Sequence, residues 1–138
     1  MKAYLGIGTN LGDRAANLHR AVEMINEQAG HVLACSSFME TEPWGFTSDN
    51  AFLNAVVEVD TPHSQYELLH ITQKIEREMG RAHKSINGNY TDRIIDIDIL
   101  LYGDERINEP ELIIPHPMMW QRSFVYEPLW EIASHLKP

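Results

Sequence analysis

The most restrictive run in this chain is Ile95-Asp96-Ile97-Asp98-Ile99, set inside the strand-like stretch Ile94 to Tyr102. Side chains alternate along a strand, so the three isoleucines share one face and the two aspartates share the other. The isoleucine face requires helices packed over it. The aspartate face requires water, cations or polar partners. At a rise of ~3.3 Å per residue, the two aspartate Cα atoms stand roughly 6.6 Å apart. Two carboxylates aimed the same way at that spacing repel unless a cation lies between them. Mg2+ suits such a pair, because it takes oxygen ligands and completes its shell with waters and phosphate oxygens. Two Mg2+ ions ~3.5–4 Å apart would also match the spacing. Taken alone, the pattern is more often a half-solvated strand whose aspartates meet arginines or water.

The rest of the chain supplies elements for a sheet around that strand. Residues 3–8 read as a short buried strand. Residues 14–29 read as a helix with Leu18, Ala21, Val22, Ile25 and Ala29 on one stripe, Asp13 as N-cap and Gly30 as stop. His31 to Met39 reads as a second strand, Glu40 to Asn50 as a loop, and Phe52 to Asp60 as a third strand. Ser64-Gln65-Tyr66-Glu67 is a capping box that opens a helix ended by Gly80, with Leu68, Leu69, Thr72, Ile75 and Met79 inward. Residues 81–92 read as a loop and 103–123 as irregular, with a short helix over Tyr126 to His135. The order β-α-β-β-α-β predicts an α+β, ferredoxin-like fold: an antiparallel sheet, helices on one face, and an additional C-terminal segment. The 138 residues allow one domain, expected over 1–138, with a core large enough to need no disulfides.

Charge narrows the partners. A net charge of −9 argues against a general nucleic-acid binder and against adsorption to an anionic membrane. The single Cys35 excludes an intramolecular disulfide, and no run approaches the ~20 apolar residues of a membrane span. A monomer in the cytoplasm is the expectation. The charge is uneven, however. Residues 74–93 hold Lys74, Arg77, Arg81, Lys84 and Arg93 against Glu76, Glu78 and Asp92, a local excess of two positive charges in an otherwise acidic chain. A basic loop leading into an acidic strand is what a metal-bound polyphosphate needs, since arginine forks bind phosphate oxygens. A solvated helix end with an adjoining loop accounts for the same cluster.

Three further features stand out. Pro115-His116-Pro117, followed by Arg122, restricts the backbone around one histidine; both side chains could face a phosphate, and an incidental rigid turn is the plainer account. Gly6-Ile7-Gly8-Thr9-Asn10-Leu11-Gly12 has the wrong glycine spacing for a dinucleotide fingerprint and reads as a tight strand-to-helix turn. Trp44, Phe46, Phe52, Asn54 and Phe124 offer rings and an amide that could stack on a flat heterocycle and read its edge, where core packing is the alternative.

In combination these stretches resemble the 6-hydroxymethyl-7,8-dihydropterin pyrophosphokinase family. Asp92 to Gly103 looks like its R-x-[ILV]-D-[ILV]-D-[IL]-L signature, and Gly6 to Gly12 is similar to its glycine-rich start. Glu40 to Gly45, Phe52 to Ala55, Thr72 to Glu76, Gly80-Arg81, Ile114 to Pro117 and Arg122 to Val125 match further segments in order. The resemblance implies pyrophosphoryl transfer from MgATP to the pterin hydroxymethyl group in folate biosynthesis, with AMP released. By carry-over, Asp96 and Asp98 hold two Mg2+ ions, and Arg81 and Arg93 stabilise the transferring group. Gln73, Glu76, Lys84, His116 and Arg122 bind ATP. Thr41, Glu42, Trp44, Phe52, Asn54, Tyr90 and Phe124 form the pterin pocket. Asn89-Tyr90-Thr91-Asp92-Arg93 departs from the usual Trp-Gly-Pro-Arg run, with Tyr90 in place of the stacking tryptophan, and His83 stands where a loop arginine is common.

Overall fold

The computed structural model describes residues 1–41, 51–80 and 94–137. Strand β1 (Lys2–Thr9) leads into helix α1 (Arg14–Gln28), and β2 (His31–Cys35), β3 (Met39–Thr41) and β4 (Phe52–Asp60) follow. Helix α2 (Gln65–Glu78) precedes β5 (Asp96–Tyr102), the short hairpin β6 (Ile107–Glu109) and β7 (Leu112–Ile114), and helix α3 (Ser123–Ile132). The main sheet is ordered β2-β4-β1-β5, with β3 also pairing with β4, and its pairings are antiparallel. This is the strand order of the expected ferredoxin-like fold.

Local chemistry sets the helix ends. The Asp13 side chain accepts from the Ala16 amide at 3.1 Å, satisfying an orphan donor in the first turn of α1. At α2, the Ser64 hydroxyl accepts from the Glu67 amide at 3.2 Å while the Glu67 carboxylate accepts from the Ser64 amide at 2.8 Å. That exchange holds the Glu67 carboxyl below its usual range. Beyond α1, Gly30 lies against the end of β4: a Cβ there would stand 2.3 Å from the Asp60 carbonyl oxygen.

Two apolar clusters lie on opposite faces of the sheet. On one face, Leu5, Ile7, Val57, Ile95, Ile97 and Ile99 pack against Leu18 and Ile25 of α1 and Leu68 and Ile75 of α2. On the other, Tyr4, Val56 and Leu100 meet Met119, Leu129 and Ala133 of the C-terminal segment. The helices over one face and the C-terminal segment over part of the other agree with the sequence expectation.

Several boundaries differ from that expectation. The strand expected over His31 to Met39 is broken at Ser36, whose hydroxyl accepts from the Val56 amide at 2.9 Å. Pairing resumes in β3 and takes in Glu40 and Thr41, expected in the loop. The stretch 103–123 contains the β6–β7 hairpin and a single 3-10 turn at Met119–Gln121, and α3 begins earlier than expected. The expected 81–92 loop and most of the 40–50 loop lie outside the described residues.

The close approach at Gly30 gives a direct test. Gly30→Ala should lower stability by roughly 1–3 kcal/mol, because backbone atoms must move to admit the methyl group. Urea unfolding with an unchanged m-value would register it, and a loss below ~0.5 kcal/mol would contradict the packing.

Candidate active site

The register across three strands builds the floor of the site. Gly8 of β1 pairs with Asn54 of β4 on one side and with Asp96 of β5 on the other. The adjoining row is Val56, Gly6 and Asp98. Neighbouring strands lie ~4.8 Å apart, so Asn54 and Asp96 stand roughly 10 Å apart across a strip that has no side chains. Gly8 leaves room for the Asn54 amide: a Cβ there would lie 2.9 Å from Asn54 Oδ1, so any larger residue would force that amide to shift. Gly6 is less constrained, since its Cβ would meet Leu100 at 3.5 Å, an ordinary contact. From sequence, both glycines fell in a strand and turn with no role assigned. The alternation Leu5-Gly6-Ile7-Gly8 was the signal for a bare stripe on one sheet face.

Asp96 and Asp98 project half-buried from this floor, while Ile95, Ile97 and Ile99 are buried beneath it. Among the described residues, no three His, Cys, Asp or Glu side chains gather to hold a metal ion by themselves. A two-carboxylate donor set still suits Mg2+, which commonly takes one or two protein carboxylates and fills its shell with phosphate oxygens and waters.

Among the described residues β5 is an edge strand, and Glu76 of α2 reaches part of that edge. Glu76 is buried, and its Oε2 accepts from the Ile97 amide at 2.8 Å. The bond satisfies an outward-facing amide of β5 between the two aspartates. Gln73, one turn earlier on α2, is exposed.

On the Asn54 side, the amide orientation follows from its partner. Asn54 Nδ2 donates to the Met39 carbonyl at 3.2 Å, which leaves Oδ1 over Gly8 as an acceptor. Phe52 shares this face of β4, since side chains two apart point the same way. Thr41 pairs with Phe52 across β3 and β4.

The C-terminal segment brings the remaining described candidates. A bulge at Leu100 breaks the β1–β5 register between Tyr4 and Leu5, and the Leu100 carbonyl accepts from the His116 amide at 3.0 Å. His116 is thereby tied to the strand that carries the aspartates. Its Nδ1 accepts from the Met118 amide at 3.3 Å, which leaves the Nε2 proton as donor in the neutral ring. Burial holds the His116 pKa below its ordinary value, the Arg122 charge lowers it further, and the Asp96 carboxylate opposes both. Arg122 in turn lies over the Phe124 ring, 5.8 Å from its centroid. The structure thus brings Asp96, Asp98, His116 and Arg122 to one side of the glycine strip, and Thr41, Phe52 and Asn54 to the other, with the Phe124 ring beneath Arg122. Glu42, Trp44, Arg81, Lys84, Tyr90 and Arg93 lie outside the described residues.

A family model described as 7,8-dihydro-6-hydroxymethylpterin-pyrophosphokinase matches residues 4–134. The chain belongs to this family. A 2-amino-4-hydroxy-6-hydroxymethyldihydropteridine pyrophosphokinase from Porphyromonas gingivalis is 52% identical over 136 residues, covering 98% of this chain and 92% of the relative. A pyrophosphokinase of the same name from Bacillus subtilis is 40% identical, over 98% of this chain and 80% of its own. The fold is similar to that of the HPPK-DHPS of Plasmodium falciparum, with a TM-score of 0.70 at 16% identity over 95% of this chain. The present chain spans 39% of that longer one. As in other pyrophosphokinases of the family, ATP is the co-substrate and Mg2+ the usual metal. Among the described residues, no helix is long and apolar enough to cross a membrane.

Two outcomes follow from the buried contacts. Glu76→Ala should cost about 1–3 kcal/mol by leaving the Ile97 amide without its acceptor, while Glu76→Gln, which keeps a carbonyl oxygen, should cost less. Urea unfolding of the pair checks this, and equal losses would count against the bond. In metal-free buffer, the His116 ring should titrate below its ordinary value of 6.5 by NMR. Asp96→Asn should lower the midpoint further, and Arg122→Gln should raise it. A histidine whose folded value is depressed takes up its proton more readily when unfolded. Its contribution to stability is therefore complete above about pH 6.5 and is lost as pH falls through the lowered value.

Proposed function

We propose that this chain transfers the pyrophosphoryl group of ATP to the hydroxymethyl oxygen of 6-hydroxymethyl-7,8-dihydropterin, releasing AMP, in folate biosynthesis. The observation that carries the reading is the sheet face itself. A buried amide and an aromatic ring stand on one side of a glycine strip, and two parallel carboxylates stand on the other. A flat heterocycle would lie along Phe52 and Asn54, with its reactive arm reaching toward Asp96 and Asp98.

The Asn54 Oδ1, freed by the bond from Nδ2 to Met39, is an acceptor suited to the donor edge of a pterin ring. Thr41, Phe52 and Phe124 complete the described part of that pocket, with Glu42, Trp44 and Tyr90 assigned to it by resemblance. Asp96 and Asp98 would hold Mg2+, as two ions in this reading. Bound there, Mg2+ neutralises polyphosphate oxygens and the charge that develops during transfer. The hydroxymethyl oxygen attacks the β-phosphorus of ATP. The bond from that phosphorus to the oxygen bridging the α-phosphorus breaks, AMP departs with the bridging oxygen, and the hydroxyl proton passes to water.

Such a transfer depends on positioning and charge neutralisation more than on covalent chemistry. His116, donating from Nε2, and Arg122 would bind ATP phosphates, with Gln73 and Lys84 completing the nucleotide site. Glu76 would serve the same site through Ile97, keeping β5 in register. Arg81 and Arg93 would stabilise the transferring group. The same reading takes residues 1–138 as one domain acting as a monomer in the cytoplasm.

Incubation of the protein with MgATP and 6-hydroxymethyl-7,8-dihydropterin should yield AMP only when the pterin is present. Release of ADP, or AMP formation indifferent to the pterin, would overturn the assignment. Asp96→Ala and Asp98→Ala should each lower kcat roughly a hundredfold or more while leaving the fold intact, judged by unfolding curves. EDTA should abolish turnover and added Mg2+ restore it.

A further inference from the structure

The turn from β1 to α1 takes no part in the chemistry above, yet it is closely built. Asn17 Nδ2 donates to the Leu11 carbonyl at 2.8 Å and to Thr9 Oγ1 at 3.3 Å. Gly12 takes a φ of 66°, a conformation that L side chains rarely adopt. Asp13 caps the helix. This turn delivers Arg14, the first residue of α1.

Arg14 reaches across to the β3–β4 pair. Its Nη1 donates to the Ala51 carbonyl at 2.9 Å, and its Nη2 lies 3.3 Å from the Glu40 carboxylate. Glu40 belongs to β3, and Ala51 immediately precedes β4. The two contacts flank the register pair Thr41 and Phe52. One guanidinium therefore ties both strands together at the end that presents Thr41, Phe52 and Asn54. The contacts are unequal. Glu40 is well exposed, so its ion pair is screened, whereas the bond to Ala51 is charge-assisted, part-buried and short. Strand β3 has three residues, and so short a strand has few ladder bonds of its own to hold it.

We propose that Arg14 is a positioning residue for the pterin substrate, resting on the function proposed above. It touches no substrate. It acts through Ala51 and Glu40 to keep β3 and β4 aligned, so that the acceptor of Asn54 and the rings beside it meet the pterin already in place.

The test uses the full chain with Mg2+ and a non-hydrolysable ATP analogue. Arg14→Ala should weaken pterin binding roughly tenfold, as expected for loss of a charge-assisted bond that aligns the pocket, and leave the affinity for the nucleotide analogue within about twofold. Amide hydrogen exchange at residues 39–41 and 52–54 should quicken without ligand. Arg14→Lys, which offers a point charge in place of a fork, should fall between wild type and Arg14→Ala. Glu40→Gln should lose less than Arg14→Ala, because the Ala51 bond survives. Equal weakening of both ligands, or unchanged exchange and pterin affinity in Arg14→Ala, would overturn the proposal. If Arg14→Ala does not fold, Arg14→Lys decides by the same two measurements. If wild type binds no pterin, the proposed function fails, and the exchange rates alone decide whether Arg14 holds these strands.

Discussion

The site depends on the burial of Ile95, Ile97 and Ile99 beneath α1 and α2. A strand has a period of two, so burying three isoleucines on one face commits Asp96 and Asp98 to the other. A slip of one residue would place two carboxylates in an apolar layer and three isoleucines in solvent. Each error carries a large penalty, from stranded charge on one side and lost apolar burial on the other. The core therefore aims the aspartates. Burial under α1 and α2 likewise fixes Leu5 and Ile7, which turns Gly6 and Gly8 toward the site. The open floor and the carboxylates at its rim are two results of the same layer of packing.

Features with local causes were legible in the sequence. Asp13 and the Ser64–Glu67 box mark helix starts through bonds made within three residues, and both stand as read. The D-x-D strand and its direction of aim were equally plain. The break at Ser36 was not, because its cause is a bond to Val56, twenty positions away and on another strand. The β6–β7 hairpin was hidden by strands of three residues among prolines, too short for alternation to show. Helix α3 concealed its start because Arg122 occupies the cap without a side-chain bond, and Pro128 interrupts its interior. The site was legible as residue types and less so as architecture. Gly8 and Glu76 hold their neighbours through contacts across strands and between layers, and no linear spacing announces such contacts.

Electrostatics in the site are similarly shared. The Asp96 carboxylate of β5 stands near a histidine that burial and Arg122 hold toward its neutral form. A neutral ring donates one proton from Nε2 without adding charge. This side of the site thus combines permanent charge at Arg122 with a donor whose ring burial favours the neutral form. In the proposed function, this division would suit a chain that is acidic overall to a polyanion at one end of one sheet face.

The bond from the Ile97 amide to Glu76 also bears on behaviour between molecules. Strand β5 has seven residues, is apolar on one face and lies at the border of the sheet among the described residues, the kind of strand that recruits another by backbone pairing. A buried carboxylate occupying a central outward amide removes a rung from that ladder. An incoming strand would have to displace Glu76 and strand its charge before pairing there. The contact that steadies the aspartate-bearing strand would therefore also oppose strand-to-strand pairing at this edge.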